Sequence, residues 1–175
     1  MMKTIKTPLT EETIASLKAG DEVRITGTIL TARDQAHLRL FNLLEQGKEL
    51  PVDLNGQVVY YCGPSPPRER AIGSCGPTTS GRMDPFTPRL LEAGVKGMIG
   101  KGKRSGEVRA AIKRTKAVYF VAPAGAGAFL SEKVRSSKTV AFKELGAEAI
   151  YKLEVEDFPA IVAIDCKGND IYASM

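Results

Sequence analysis

The sequence predicts a single α/β domain over residues 1–175, with mixed strand directions and a β-hairpin near its C-terminus. Three observations support this fold class. Segments with strand-like alternation are each followed by a segment with helical periodicity. One apolar run, Ala117–Ala122, has no polar face, which is typical of a strand covered on both sides. From residue 139 onward, short strand-like segments follow one another, separated by turns.

Length and composition are those of an ordinary globular protein. The 175 residues are 43% hydrophobic and 26% charged, and no segment approaches the roughly 20 apolar residues of a membrane span. The segment Met1–Pro8 lacks the apolar core of a signal peptide, so we expect a cytoplasmic protein that does not bind membranes. The cysteines Cys62, Cys75 and Cys166 are widely spaced and odd in number, which argues against a disulfide framework or a zinc knuckle.

The first half of the chain alternates helix and strand signals. A cap-like threonine and acidic residues begin Thr10–Gly20, so this segment is predicted to be a short helix that ends at its glycine. The alternation within Asp21–Leu30 predicts a half-buried strand. Asp34 is a natural N-cap for a helix that continues to Leu44, and Val58–Cys62 has the composition of a strand.

The second half repeats this alternation around loops. Prolines make Gly63–Arg70 a stiff, exposed loop. Helices are predicted for Phe86–Ala93, which precedes a glycine, and for Ser105–Lys116, whose apolar residues share one side. Strands are predicted at Gly97–Gly102, Ala117–Ala122, Thr139–Phe142, Ala149–Val155, Ala160–Asp165 and, after a turn at Lys167–Asp170, Ile171–Tyr172.

The stretch Gly73–Asp84 is the part of the sequence most suited to chemistry. Its glycines permit positive φ and its proline fixes one dihedral, so the hydroxyl run Thr78–Ser80 falls where a helix is expected to begin. The unpaired N–H groups of a helix start, with Arg82 beside them, suit a carboxylate or a phosphate. An ordinary capped loop is the alternative, because serine and threonine cap many helices for purely structural reasons.

Two glycine-rich segments do not match nucleotide-binding motifs. Lys101 has a glycine on each side, but Gly102 occupies the position where a phosphate loop needs a hydroxyl group. Gly125 and Gly127 are not followed by the third glycine of a dinucleotide fingerprint, so Pro123–Ala128 is predicted to be a tight backbone loop. The sequence therefore argues against a nucleoside triphosphatase.

The net charge of +5 is unevenly distributed. Lysine and arginine dominate the segment from Lys96 to Lys116, which contains a single acidic residue, Glu107. We interpret most of these charges as a solvated helix face, but a basic nucleic-acid-binding module is an alternative. The absence of aromatic residues from this segment weakens that alternative, because single-stranded nucleic acids are bound by stacking.

The single histidine and one arginine lie at the first predicted strand-to-helix turn. A histidine beside an apolar helix face, such as His37, is more often a structural hydrogen-bonding residue than a catalyst. Arg33 immediately precedes the predicted helix cap and is expected to point toward whatever binds at that end. A surface ion pair with Asp34 or with a glutamate is the alternative.

Three separated motifs occur together, in the order that one enzyme family shows. They are Thr31–His37 (TARDQAH), Gly76–Asp84 (GPTTSGRMD) and Met98–Gly102 (MIGKG). With these motifs the chain resembles the class I fumarase and L-tartrate dehydratase family over nearly its whole length. It is similar to the β subunit, which is equivalent to the C-terminal domain of the single-chain enzymes. The resemblance implies a single three-layer swivelling β/β/α domain with mixed sheets.

The resemblance also implies a hydro-lyase that interconverts fumarate and L-malate, with L-tartrate dehydratase as the nearest alternative. In the family, cysteines of the α part ligate a [4Fe–4S] cluster, whose open iron acts as a Lewis acid. This chain has no recognisable ligands for the cluster or for another metal, and Cys62 and Cys75 are interpreted as packing residues. We therefore expect it to be inactive without a fumarase α subunit, in a heteromer such as α2β2, and to bind no nucleic acid.

Five residues match the family's functional positions. Thr78 resembles the catalytic base, and Thr79 resembles a substrate-binding hydroxyl. Arg33, Arg82 and Lys101 resemble the residues that hold the substrate carboxylates, a role that suits guanidinium and ammonium groups. A threonine base needs activation, which a helix N-terminus, neighbouring cations and a dry site would supply.

Overall fold

Strands and helices alternate along residues 2–173, the part of the chain that the computed structural model describes. The strands are β1 (Met2–Lys6), β2 (Glu22–Thr31), β3 (Val58–Tyr60), β4 (Gly97–Gly100), β5 (Val118–Val121), β6 (Val134–Ala141) and β7 (Ile150–Ile164). The α-helices are α1 (Glu11–Ser16), α2 (Asp34–Glu45), α3 (Thr87–Glu92), α4 (Gly106–Thr115) and α5 (Gly127–Ser131), and 3₁₀ helices span Ser80–Met83 and Lys143–Glu148. The predicted α/β class is confirmed.

The strands form one mixed sheet that closes into a barrel. The strand order is β1-β2-β3-β4-β5-β7-β6, and β7 also pairs with β2, so five strands make a closed ring. Strands β2 to β5 run parallel to one another, whereas β7 is antiparallel to β2, β5 and β6. The predicted mixture of strand directions is confirmed, and the last two strands, β6 and β7, are an antiparallel pair. The three-layer, swivelling arrangement stays a prediction.

Alternate residues of the strands point into two separate cores, because a strand exposes its side chains to opposite faces in turn. In β3, Val58 and Tyr60 belong to the cluster that fills the barrel. The neighbouring Val59 and Tyr61 pack with the buried sides of α2, α3 and α4. The same division in Ala117–Ala122 explains its lack of a polar face. None of the helices within residues 2–173 is long and apolar enough to cross a membrane.

Helix starts were predicted with mixed success. Thr10 caps α1 as predicted, since its hydroxyl accepts a hydrogen bond from the Thr13 N–H group at 3.1 Å. The N-cap of α2 is Arg33 rather than Asp34, because the Asp34 carboxylate is engaged by another side chain. The helix predicted to start in Thr78–Ser80 is a 3₁₀ helix of four residues, and Thr79 makes no side-chain capping bond.

Several predicted strand boundaries were wrong near the C-terminus. The two strands predicted between residues 149 and 165 are one strand, β7, which continues through Asp157 although that residue has φ 53°. Ile171 and Tyr172 lie in a turn, and only the isolated bridge between Ile164 and Asp170 precedes them. Strand β6 starts at Val134, five residues before its predicted start, while β1 and α5 were not predicted.

Candidate active site

The carboxyl ends of the parallel strands bring the predicted site residues together. Arg33 follows the end of β2, and Lys101 follows the end of β4 directly. Gly63, in the loop that follows β3, packs against the Arg33 side chain, because an added β-carbon would be 3.0 Å from Arg33 Cδ. In α/β proteins, ligands bind in the crevice outside the carboxyl ends of parallel strands. This edge is therefore the candidate active site.

The hydroxyl-bearing segment lies across the ends of β3 and β4. The Thr78 N–H group donates to the Tyr61 carbonyl at 2.7 Å, just beyond β3. Thr79 forms a parallel bridge with Lys101, and the Ser80 N–H group donates to the Lys101 carbonyl at 2.9 Å. Backbone hydrogen bonds thus place the threonines beside the lysine. Thr78 is half-buried and Thr79 is exposed, so both lie at the surface of this crevice.

Arg82 and Arg33 flank one carboxylate. Asp34 Oδ2 accepts a hydrogen bond from Arg82 Nε at 3.0 Å, and Arg82 Nη2 lies 2.8 Å from the same oxygen in an ion pair. On the other side, Arg33 Nε lies 3.9 Å from Asp34 Oδ1, and both of these atoms are buried without a hydrogen-bond partner. The ion pair between Arg33 and Asp34 is therefore only a long contact. The Arg33 side chain is 27% exposed, which leaves part of it open to a ligand, and a planar guanidinium is well suited to a carboxylate.

Lys101 completes a cationic site. Its side chain is half-buried, and within residues 2–173 its ammonium group is not paired with a carboxylate. The backbone before it is tightly packed, because a β-carbon at Gly100 would overlap the Ser80 hydroxyl and lie 2.8 Å from the Tyr61 ring. Together with Arg33 and Arg82, Lys101 gives this edge of the sheet an excess of positive charge, which favours an anionic ligand.

Arg104 is a buried residue that the sequence interpretation placed among solvated charges, which was wrong for this residue. Its guanidinium donates from Nε to Asp84 Oδ1 at 2.7 Å and from Nη2 to Thr87 Oγ1 at 2.8 Å. It also lies over the rings of Tyr119 and Tyr61, 4.8 and 5.2 Å from their centroids. Although burial opposes its charge, Tyr61 and Asp84 raise the pKa of Arg104. Its spacing in the sequence gave no signal that distinguishes it from neighbouring exposed lysines.

The rest of the basic segment is divided among several contacts. Lys96 Nζ donates to the Thr115 carbonyl, and Arg109 Nε donates to the Gly168 carbonyl at 2.7 Å. Arg114 pairs with a glutamate on α3 at 3.3 Å. These charged groups therefore lie on different parts of the surface, and their positions give no support to a continuous nucleic-acid-binding face.

His37 has the environment of a structural residue. Its Nδ1 lies 2.8 Å from the Arg33 carbonyl, so this nitrogen carries the proton and donates it. The ring packs edge-on against Tyr61, with 5.2 Å between centroids. Burial lowers the pKa of His37 to about 4, which keeps the imidazole neutral near pH 7. His37 therefore supports the backbone that carries Arg33.

The cysteines of this chain do not fit the ligation of an iron–sulfur cluster. Cys62, Cys75 and Cys166 are buried and free. Burial raises the pKa of Cys62 and raises that of Cys75 to about 12, which opposes the thiolate form that binds iron. Among residues 2–173, no group of three histidine, cysteine, aspartate or glutamate side chains could hold a metal ion.

Comparisons with known proteins identify relatives that are much longer than this chain and a relative of similar length. The family described as Fumarase C-terminus matches residues 2–175. The class I, anaerobic fumarate hydratase of Escherichia coli (strain K12) is 42% identical over 151 residues, which are 85% of this chain and 28% of that protein. Fumarate hydratase 2 of Leishmania major is 37% identical over 163 residues, 91% of this chain and 29% of that protein. The chain thus spans less than a third of these two enzymes.

A relative of similar length comes from Methanocaldococcus jannaschii. It is provisionally named L(+)-tartrate dehydratase subunit beta, and it is 38% identical over 171 residues. The match covers 94% of this chain and 88% of that protein.

Proposed function

This chain belongs to the Fumarase C-terminus family, and from that premise we propose that it is the β subunit of a hydro-lyase that reversibly hydrates fumarate to L-malate. One observation carries the proposal: backbone hydrogen bonds bring the segment of Thr78 and Thr79 to Lys101, at the strand ends where Arg33 also lies. Binding of a dicarboxylate calls for at least two cationic partners, and removal of a proton from it calls for a base nearby. Arg33, Arg82 and Lys101 are the proposed cations.

Each cation has a geometry that suits a carboxylate. Asp34 contacts Nε and Nη2 of Arg82, so Asp34 does not engage Nη1 of that guanidinium. The Arg33 side chain is partly exposed and makes only a 3.9 Å contact with Asp34, and the ammonium group of Lys101 has no carboxylate partner within residues 2–173. We assign Thr79 as a hydroxyl that hydrogen-bonds the substrate, because it is bridged to Lys101 and exposed.

Thr78 is the proposed base. In the dehydration direction its deprotonated oxygen takes a proton from the carbon beside one carboxylate, and the C–H electron pair forms the double bond as the hydroxyl leaves the neighbouring carbon. An α-helix N-terminus was expected to activate Thr78, but the helix at this place is a single 3₁₀ turn, whose dipole is smaller. Stabilisation of the alkoxide therefore depends on the neighbouring cations and on exclusion of water. We assign no residue of this chain to the departing hydroxyl.

The remaining half of the site is proposed to come from a partner. The cysteines here do not fit a cluster, so the ligands of a [4Fe–4S] cluster would be supplied by a fumarase α subunit. A heteromer is supported by the Methanocaldococcus relative, which is named as a β subunit. An α2β2 arrangement, a swivelling closure of this domain and a cytoplasmic location belong to the same proposal.

The test is anaerobic reconstitution with a cluster-loaded α subunit, followed by assay of fumarate hydration. Thr78→Ala is expected to abolish turnover without preventing assembly, which size-exclusion chromatography would show. Thr139→Ala on β6 is the matched control and should retain the wild-type kcat. Wild-type turnover by an assembled Thr78→Ala complex would remove Thr78 as the base.

L-Tartrate dehydratase is the second candidate, favoured by the 88% coverage of the Methanocaldococcus protein. Both reactions remove water from a hydroxylated dicarboxylate, so the same residues would serve. The ratio of kcat/KM for L-malate and L-tartrate in the reconstituted complex separates them. A preference for L-tartrate would replace the fumarase assignment without changing the proposed site.

A further inference from the structure

We propose that Ser80 and Tyr119 are positioning residues that fix the backbone on both sides of Lys101. This inference rests on the proposed function, which assigns a substrate carboxylate to the Lys101 ammonium group. Neither residue is expected to touch the substrate, because both are fully buried.

The hydrogen bonds around Lys101 have a defined direction. Tyr119 Oη lies 2.8 Å from the Gly102 carbonyl and 2.8 Å from Ser80 Oγ. A carbonyl can only accept, so the single Tyr119 proton goes to Gly102, and the Ser80 hydroxyl donates to Tyr119 Oη. Ser80 Oγ in turn accepts the N–H group of Lys101 at 3.1 Å. The Lys101 amide therefore donates to Ser80, the Ser80 hydroxyl donates to Tyr119, and the Tyr119 hydroxyl donates to the Gly102 carbonyl.

A second bond closes this arrangement. The backbone N–H group of Ser80 donates to the Lys101 carbonyl at 2.9 Å. The amide and the carbonyl of Lys101 are thus both bound by Ser80, and the next carbonyl is bound by Tyr119. The lysine side chain is long and flexible, so its reach is determined by where this backbone is held.

The packing around these bonds leaves little freedom. Gly100 has no room for a β-carbon beside the Ser80 hydroxyl, and Gly102 has φ +84°, a conformation that favours glycine. Arg104 lies 4.8 Å from the centroid of the Tyr119 ring and is itself fixed by the Asp84 carboxylate. Since Ser80 directly follows Thr79, its backbone bond to Lys101, which does not involve Tyr119, holds the threonine segment beside the lysine.

A double-mutant cycle in the reconstituted complex tests this coupling. Tyr119→Phe is expected to lower kcat/KM for fumarate about tenfold, mainly by raising KM, which is the loss of about one hydrogen bond. Lys101→Ala is expected to lower it about 100-fold. In the Lys101→Ala background, Tyr119→Phe should have no further effect, because the group that it positions is absent. Lys103→Ala, an exposed lysine two residues away, is the control and should keep the wild-type value.

Three kinetic outcomes would overturn the proposal in distinguishable ways. Wild-type kcat/KM for Lys101→Ala would overturn the proposed function and this inference together. A large effect of Lys101→Ala with no effect of Tyr119→Phe would overturn only this inference. A further tenfold loss for Tyr119→Phe in the Lys101→Ala background would also overturn only this inference, because it would show a general structural role.

Hydrogen–deuterium exchange of the complex gives a readout that does not depend on activity. Ser80→Ala removes the acceptor of the Lys101 amide, so exchange should become faster in the peptide that spans residues 98–103. This variant also keeps the inference testable if Tyr119→Phe fails to fold. Ser131→Ala is the matched control, since it removes another buried serine hydroxyl, bonded to the Ala128 carbonyl. Unchanged exchange in Ser80→Ala, or equal acceleration by Ser131→Ala, would contradict the proposed positioning.

Discussion

Asp34 holds Arg82 by one edge of its guanidinium, with Nε at 3.0 Å and Nη2 at 2.8 Å from the same carboxylate oxygen. We therefore predict that Asp34 orients Arg82 for a substrate carboxylate. Asp34→Asn should raise KM for fumarate about tenfold with a smaller change in kcat, because a neutral amide restrains the guanidinium less. Steady-state kinetics of the reconstituted complex would measure this.

Asp53→Asn is the control for that substitution, since Asp53 is exposed and only accepts a hydrogen bond from the Asn55 amide. Its KM should stay at the wild-type value. A lower KM in Asp34→Asn would show the opposite role, a carboxylate that competes with the substrate for Arg82.

Gly100 has a packing role that can be tested by stability. Gly100→Ala should lower the free energy of unfolding by about 1–3 kcal/mol, because its methyl group would overlap the Ser80 hydroxyl. Gly106→Ala, at the first turn of α4, meets no atom within 4 Å and should leave stability unchanged or slightly raised. Thermal unfolding of both variants decides the matter, and equal melting temperatures would contradict the assigned overlap.

His37 predicts a pH dependence of stability. Its folded pKa is about 4, below the ordinary 6.5, so between these values the unfolded chain binds more protons than the folded one. The contribution of His37 to the free energy of unfolding is complete above pH 6.5. It is lost as the pH falls toward 4, by about 3 kcal/mol in total. Urea unfolding at intervals across this window should show the decrease.

His37 is the single histidine of the chain, which makes its substitution informative. His37→Gln should be less stable at pH 7 but should show a much flatter dependence between pH 6.5 and 4. An unchanged slope in this variant would mean that other groups cause the dependence.

The buried thiols predict slow alkylation. At pH 7.5, native Cys62 and Cys75 should react with iodoacetamide on the order of 100-fold more slowly than in the unfolded chain, because they are inaccessible and little ionised. Mass spectrometry would count the modified residues, and the chain unfolded in urea, which should take up three equivalents, is the control. Rapid native modification of either residue would contradict the packing role.

Elements defined by local pattern could be predicted from the sequence. The alternation in β2, the cap of α1 and the apolar run of β5 are determined by neighbouring residues, and the structure contains each of them. Strand β7 could not be predicted as one element, because it is held by partners in β2, β5 and β6 that lie far away in the chain. Residues 156–159, which separate the two predicted strands, belong to the same strand.

The candidate site shows the same limit. Resemblance to a family indicated Thr78, Arg82 and Lys101, but their assigned roles stay predictions. The contacts that arrange them were not visible in the sequence, because Tyr119 and Arg104 meet the site only through the folded sheet. Asp34 was predicted to cap a helix, and its tertiary contact with a distant arginine overrode that local preference.

The closure of the barrel by β7 has a consequence for how the protein is made. Residues 22–31 of β2 are synthesised long before their antiparallel partner, which lies at residues 150–164. The ring, and with it the fixed position of Arg33 at the end of β2, cannot form until residues 150–164 have left the ribosome. Pairing over such a distance along the chain is intrinsically slow. Until then a nascent chain exposes the unpaired N–H and C=O groups along this edge of β2, and chaperone binding would protect it from aggregation.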